Sequence, residues 1–209
     1  MKRFIQPLIL WIIILLAVYL TGCSSDPIAV DPSEIQVLSI KDYYPEALSA
    51  AQEWNPSAYL TEIVVAMCLP DAKDDLKIHY RFRTRDAPGM WFLVSIRASS
   101  DKSEILAEPG EYAEDTIPTL PQVFDIYRVT VDSFGALEIA YHNGAQEFLS
   151  THEDLHQLPI AILEREKVRV GTGNLQWKVI FTAESLHNIQ ITIDAHTGEV
   201  LETIQGGYE

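Results

Sequence analysis

The sequence predicts an α+β protein made of two repeated units, each a helix followed by an antiparallel sheet, set behind an amino-terminal export signal. Three observations carry this reading. A basic Met1-Lys2-Arg3 start leads into an apolar run of thirteen residues, Leu8 to Leu20. Two similar segments recur 89 positions apart, Glu46-Ala47-Leu48-Ser49-Ala50-Ala51 and Gly135-Ala136-Leu137-Glu138-Ile139-Ala140. After each of them the spacing of apolar residues changes from that of a helix to that of a strand.

The amino terminus has the layout of a secretory signal: charge, a short apolar stretch, then small residues. Thirteen apolar residues fall short of the roughly 20 that span a bilayer, although counting from Phe4 to Gly22 keeps an uncleaved anchor as the alternative. The stretch ends Leu20-Thr21-Gly22-Cys23, which resembles the lipobox of bacterial lipoproteins. That resemblance implies a diacylglycerol on Cys23, removal of residues 1–22, and a mature protein held on the extracytoplasmic side of a membrane. Two or three acyl chains anchor stably where one binds marginally. Ser24 is compatible with sorting to the outer membrane of a two-membrane bacterium and leaves the inner membrane open as well.

Lys2 and Arg3 belong to the signal, so the mature chain keeps 13 basic residues against 30 acidic ones, a formal charge of −17. A surface so acidic repels nucleic acid and anionic headgroups, whose binding depends on neutralising phosphates. Cys68 lies in the apolar run Ile63 to Leu69 and reads as a buried thiol. With Cys23 acylated no disulfide is available, and stability must come from packing.

Residues 23–40 are rich in Pro, Ser and Asp and read as a tether whose reach is at most roughly 60 Å. The first unit spans residues 41–131 and the second 132–207. Ala47, Leu48, Ala51 and Trp54 recur at helical spacing in one; Leu137, Ala140, Tyr141 and Phe148 do so in the other. The same offset relates Tyr59-Leu60 to Phe148-Leu149. Asn55-Pro56 and Asn143-Gly144 interrupt the two helices. Beyond the first helix, Ile78, Tyr80 and Phe82 alternate with polar residues, Asp86 to Gly89 makes a turn, and Met90 to Ile96 returns. In the second unit Trp177, Val179 and Phe181 form one strand and Ile189, Ile191 and Ile193 another. Three prolines and several acids mark residues 98–122 as a long loop, with Val123 to Val131 as a strand closing the first sheet.

The run Trp177-Lys178-Val179 followed by Asp194-Ala195-His196-Thr197-Gly198-Glu199-Val200 resembles the PepSY domain over residues 132–203. Physically the motif is a tight turn, in which Asp194 accepts backbone N–H bonds and Gly198 takes a left-handed conformation. In the first unit Val131-Asp132-Ser133-Phe134-Gly135 is either a partial echo of the motif or the cap of the second helix. The resemblance implies an extracytoplasmic module that binds or restrains peptidases. It carries over no catalytic residue and no cofactor.

Two constellations bear on chemistry. His152-Glu153-Asp154-Leu155-His156 matches H-E-x-x-H, which on a helix sets two zinc-binding imidazoles beside a general base. Here Pro159 follows closely and no third ligand stands at a familiar spacing, though Glu164, Glu166 and Glu184 are available. An exposed helix end carrying His152 and His156 is the competing reading. The second constellation is Lys77, His79, Arg81 and Arg83, alternating along one strand. In so acidic a chain these would receive an acidic peptide or a polyanionic wall component, or they pair with carboxylates on neighbouring strands. The expectation is a lipid-anchored binding or regulatory protein without catalysis of its own, whose partners are a membrane and an extracytoplasmic protein or peptidase. A zinc metallopeptidase is the alternative.

Overall fold

A computed structural model describes residues 28–29, 35–66, 76–98, 103–112, 123–152, 154–166, 173–183 and 187–206, with the backbone alone for 28–29 and 154–158. Helix α1 (Tyr44–Trp54) precedes four strands, β2 (Tyr59–Ala66), β3 (Leu76–Arg83), β4 (Met90–Ala98) and β5 (Ser103–Glu111). Helix α2 (Ser133–Ala140), a π turn over Tyr141–Ala145 and helix α3 (Gln146–Thr151) precede four more, β6 (Asp154–Arg165), β7 (Leu175–Ala183), β8 (Asn188–Asp194) and β9 (Val200–Gly206). A two-residue strand, β1 (Ile28–Ala29), stands ahead of both sets. All strands join one antiparallel sheet in the order β5-β4-β3-β2-β6-β7-β8-β9, with β1 against the start of β6. The fold is α+β, and the two sets of strands share one sheet through the β2–β6 pair.

Register decides which residues meet. Strand partners directly opposite share a face, and the pairs Phe82–Phe92, Tyr80–Val94, Ile63–Tyr80, Ile63–Leu163, Leu163–Trp177 and Trp177–Ile193 run across the sheet in one apolar row. Both helical segments cover that row. Tyr44 of α1 stacks on Phe82, Trp54 stacks on Phe92, and the Tyr80 hydroxyl donates to the Ile40 carbonyl at 2.9 Å. On the other side the Trp177 indole N–H donates to the Val131 carbonyl at 2.8 Å. One continuous core results, with Ile63, Tyr80, Phe82, Leu163, Trp177 and Phe181 fully buried.

Local sequence explains the helix ends. Asn55 precedes Pro56, whose ring disfavours helical backbone in the residue before it, and Asn55 is extended at φ −152° and ψ 120°. α1 therefore stops and β2 begins. Asn143 and Gly144 instead kink their helix: Gly144 sits at φ 132°, and the chain resumes as α3. Asp132 is the cap of α2, accepting from the Ser133 and Ile40 amides.

Several expectations give way. Tyr59-Leu60 lies in β2 and Phe148-Leu149 in α3. The offset that relates Tyr44 to Ser133 thus ends with the helices, because the second helical segment is longer. Within the expected loop, residues 98–122, Ser103–Glu111 forms strand β5, and its Pro109 is tolerated because an edge strand is bonded on one side only. Val123 to Val131 is no strand; it holds a short 3-10 turn, Ile126–Arg128. The tether is shorter than expected, since Ile35 and Ile40 are buried in the core and β1 already pairs with β6. Residues 1–22, Cys23, Cys68 and Glu153 lie outside the described residues. No helix among the described residues is long and apolar enough to cross a membrane.

Candidate functional site

The opposite face of the sheet carries the charge. Alternation along β3 turns Lys77, His79, Arg81 and Arg83 away from Ile78, Tyr80 and Phe82, and register sets Arg81 between Glu62 of β2 and Leu93 of β4. The Arg81 Nη1 stands 2.8 Å from Glu62 Oε1, both side chains about a fifth exposed. Its guanidinium carbon lies 5.8 Å from the centre of the Trp91 ring, within cation–π range. Trp91 itself lies across Gly110 of β5, where a Cβ would run into the indole.

Arg83 is only 3% exposed. Its Nη2 donates to the Pro88 carbonyl at 2.7 Å, and its guanidinium lies 5.2 Å from the Tyr112 ring. Burial pushes the Tyr112 hydroxyl up, and the nearby charges of Arg81 and Arg83 offset part of that. His79 Nδ1 is 2.7 Å from Ser95 Oγ. Burial, then the charges of Lys77 and Arg81, bring His79 down to about 4, so it is neutral at pH 7. The predicted cationic row is therefore an ordered set in which two guanidinium groups already have partners and the imidazole is uncharged.

Two residues of the neighbouring half complete the arrangement. Glu164 of β6 lies directly opposite Glu62, and Lys178 of β7 places Nζ 2.6 Å from Glu164 Oε1. Across the four central strands the order is Arg81, Glu62, Glu164, Lys178. Like charges opposite one another on neighbouring strands are unfavourable, and here each carboxylate has its own cation on the outer side. Partial burial strengthens such pairs relative to exposed ones and raises the cost of losing one partner. Fixed charges, a guanidinium over an indole and a phenol beside a guanidinium are the groups with which proteins recognise peptides and other proteins. Of these, sequence reasoning missed Glu62, Trp91, Tyr112, Glu164 and the role of Lys178. The available signal was a single carboxylate inside the apolar stretch Leu60 to Ala66 and another, Glu164, directly after the apolar stretch Ile160 to Leu163.

The Asp194 turn closes β8 onto β9 at one end of the sheet. Asp194 Oδ1 accepts from the amides of His196 at 2.9 Å and Thr197 at 2.8 Å, and Gly198 stands at φ 77°. Burial alone would raise the Asp194 pKa, but the Thr197 and His196 amides, the Thr197 hydroxyl and the nearby His196 outweigh it and leave it below the usual value. The Ala195 carbonyl accepts from the Thr130 and Val131 amides, which ties the turn to the segment entering α2.

The expected zinc motif takes another shape. α3 ends at Thr151, His152 caps it, and Asp154–Arg165 is a strand. His152 and His156 thus share no helical face, and the exposed helix end carrying both is absent too. Pro159 disfavours helical backbone before it and falls at an irregularity of the β6–β7 register between Gln157 and Ile160, while the β-branched Ile160 and Ile162 favour the strand beyond it. The His152 ring stacks on Phe148, with Nδ1 3.1 Å from that residue's carbonyl. No group of three or more metal-ligating side chains gathers among the described residues.

No protein-family model and no curated protein matches the chain. The PepSY resemblance accordingly rests on the turn motif and the aromatic strand. In fold the chain is similar to the crystal structure of a candidate lipoprotein from Clostridium difficile 630, with a TM-score of 0.52 and 11% identity over 78% of this chain and 92% of that one. At this identity the likeness is one of fold.

Proposed function

We propose that this chain is a lipid-anchored extracytoplasmic binding protein that uses the sheet face opposite its two helical segments for recognition and performs no catalysis of its own. The observation that carries the reading is the ladder Arg81–Glu62 and Glu164–Lys178 beside Trp91 and Tyr112, a set of charges and rings on the face opposite both helical segments. The lipobox at Cys23 supplies the address, and the similarly folded candidate lipoprotein is in keeping with it. The partner is an extracytoplasmic protein, and the PepSY-like turn at Asp194 and Gly198 favours a peptidase held in check.

Two measurements test this. Metabolic labelling with palmitate should mark the wild-type protein and not Cys23→Ala, which should retain residues 1–22 and run as the larger, unprocessed form. Crosslinking on intact cells should yield a defined partner whose recovery falls at least tenfold for the double variant Arg81→Glu/Lys178→Glu. Unchanged recovery from a folded variant would move the binding surface elsewhere.

A further inference from the structure

We infer that the end of the sheet where β1 meets β6 faces the lipid bilayer, while the opposite end, with the Asp194 turn, points away from it. This rests on the acylation of Cys23 proposed above and goes beyond it by fixing how the domain stands.

The first observation is a length. Ile28 pairs with Leu155 and Ala29 with Asp154, so the chain is fastened to the sheet five residues after Cys23. Five residues reach about 18 Å at full extension. The sequence alone predicted a tether more than three times as long, which would let the domain turn freely; a leash this short does not. It is also fastened at one end of the sheet rather than at its middle. The start of β6 lies beside the end of β7, through Leu155 and Ala183, and next come the start of β8, through Thr182 and Asn188, and the end of β9, through Asn188 and Gly206.

The second observation is the distance to the other end. β6 runs for twelve residues, Asp154–Arg165, or about 40 Å at a strand's rise. Arg165 there pairs with Leu175, and the neighbouring Gln176 pairs with Asp194. The Asp194 turn is therefore separated from the leash by roughly twice the leash's own reach.

Charge decides between standing and lying. A mature chain of formal charge −17 is repelled by an anionic bilayer. The leash holds one end down, and repulsion is relieved only by swinging the other end outward. In that posture the Asp194 turn and, at the same end of the sheet, the turn at Ala87 to Met90, which leads from β3 into β4, are among the described parts first met by a partner arriving from outside.

Energy transfer on vesicles tests the posture. The acylated protein, with Cys68→Ser, is reconstituted into phosphatidylcholine–phosphatidylglycerol vesicles carrying an acceptor-labelled lipid. A donor is attached at His187→Cys, beside the start of β8, or at Glu199→Cys, in the turn. Both side chains are exposed. Transfer should be several-fold stronger from position 187. A long Gly-Ser insert between Ser25 and Asp26 should abolish the contrast. Equal transfer from vesicle-bound protein, or a contrast that survives the insert, would overturn the inference and leave the lipid anchor standing. Mass spectrometry finding Cys23 unmodified would remove the anchor itself, and the orientation with it.

Discussion

The two halves of the sheet are built to the same order, helix and then four antiparallel strands, but they are held by different means. In the first half aromatic rings pack against one another: Tyr44 on Phe82, Trp54 on Phe92, and the Tyr80 hydroxyl reaching Ile40. In the second, Trp177 and Phe181 of β7 share the core with aliphatic residues of α2 and β8, the indole bonds to the Val131 carbonyl, and a turn rich in hydrogen bonds locks β8 to the entrance of α2. The helices differ as well. α1 stops where Pro56 forces it to, whereas its counterpart passes through Gly144 and continues into α3. One arrangement of strands tolerates both solutions because the sheet needs only a continuous apolar row on one face, whatever side chains supply the cover.

Substitutions can sharpen the contrast. The largest effect is expected from Trp177→Ala, which opens a cavity in the second half and strands the Val131 carbonyl. It should cost roughly 3–5 kcal/mol, read from the urea midpoint. A loss below about 2 kcal/mol would mean that the second half does not depend on its indole as described. Next comes Gly198→Ala, with a penalty of about 1–2 kcal/mol for a left-handed backbone, compounded by the approach of a Cβ to Ile139 at 3.2 Å. Tyr80→Phe removes one hydrogen bond in the first half at about 1 kcal/mol.

At neutral pH the smallest effects come from the titrating groups, and these separate the halves by pH window. His79 has a folded pKa of about 4, below its ordinary 6.5. The unfolded chain therefore binds the proton first, and stability falls as pH drops from 6.5 to 4. His79→Gln should flatten that slope. Asp194 also lies below its ordinary value, so its contribution is present above pH 4 and fades only as pH falls through the folded value. Asp194→Asn should flatten that more acidic limb alone. Denaturation series at pH 3 to 7 would show whether the two windows are distinct.

Strands β3, β7 and β8 were legible in the sequence, because β3 and β8 alternate apolar and polar residues throughout and β7 does so except at Ile180. The two central strands were not. β2 follows α1 after four residues and merges with an apolar run, while the opening of β6 mimics a zinc-binding helix at His152 to His156. β5 was hidden by Pro109, which argues against a strand except at an edge or a bulge. For the candidate site, the basic residues of β3 could be found from their spacing. Their partners Glu62, Glu164 and Lys178 could not, since the pairing of β2 with β6 joins residues about a hundred positions apart and depends on register rather than composition.

The border formed by β5 bears on how copies of this chain meet one another. An unpaired strand is an invitation to zip together. Pro109 withholds a donor from any visiting strand, and Glu104, Glu108 and Glu111 would confront the same acids on a copy of the chain. This rim thus discourages self-stacking into fibres and keeps neighbouring molecules separate.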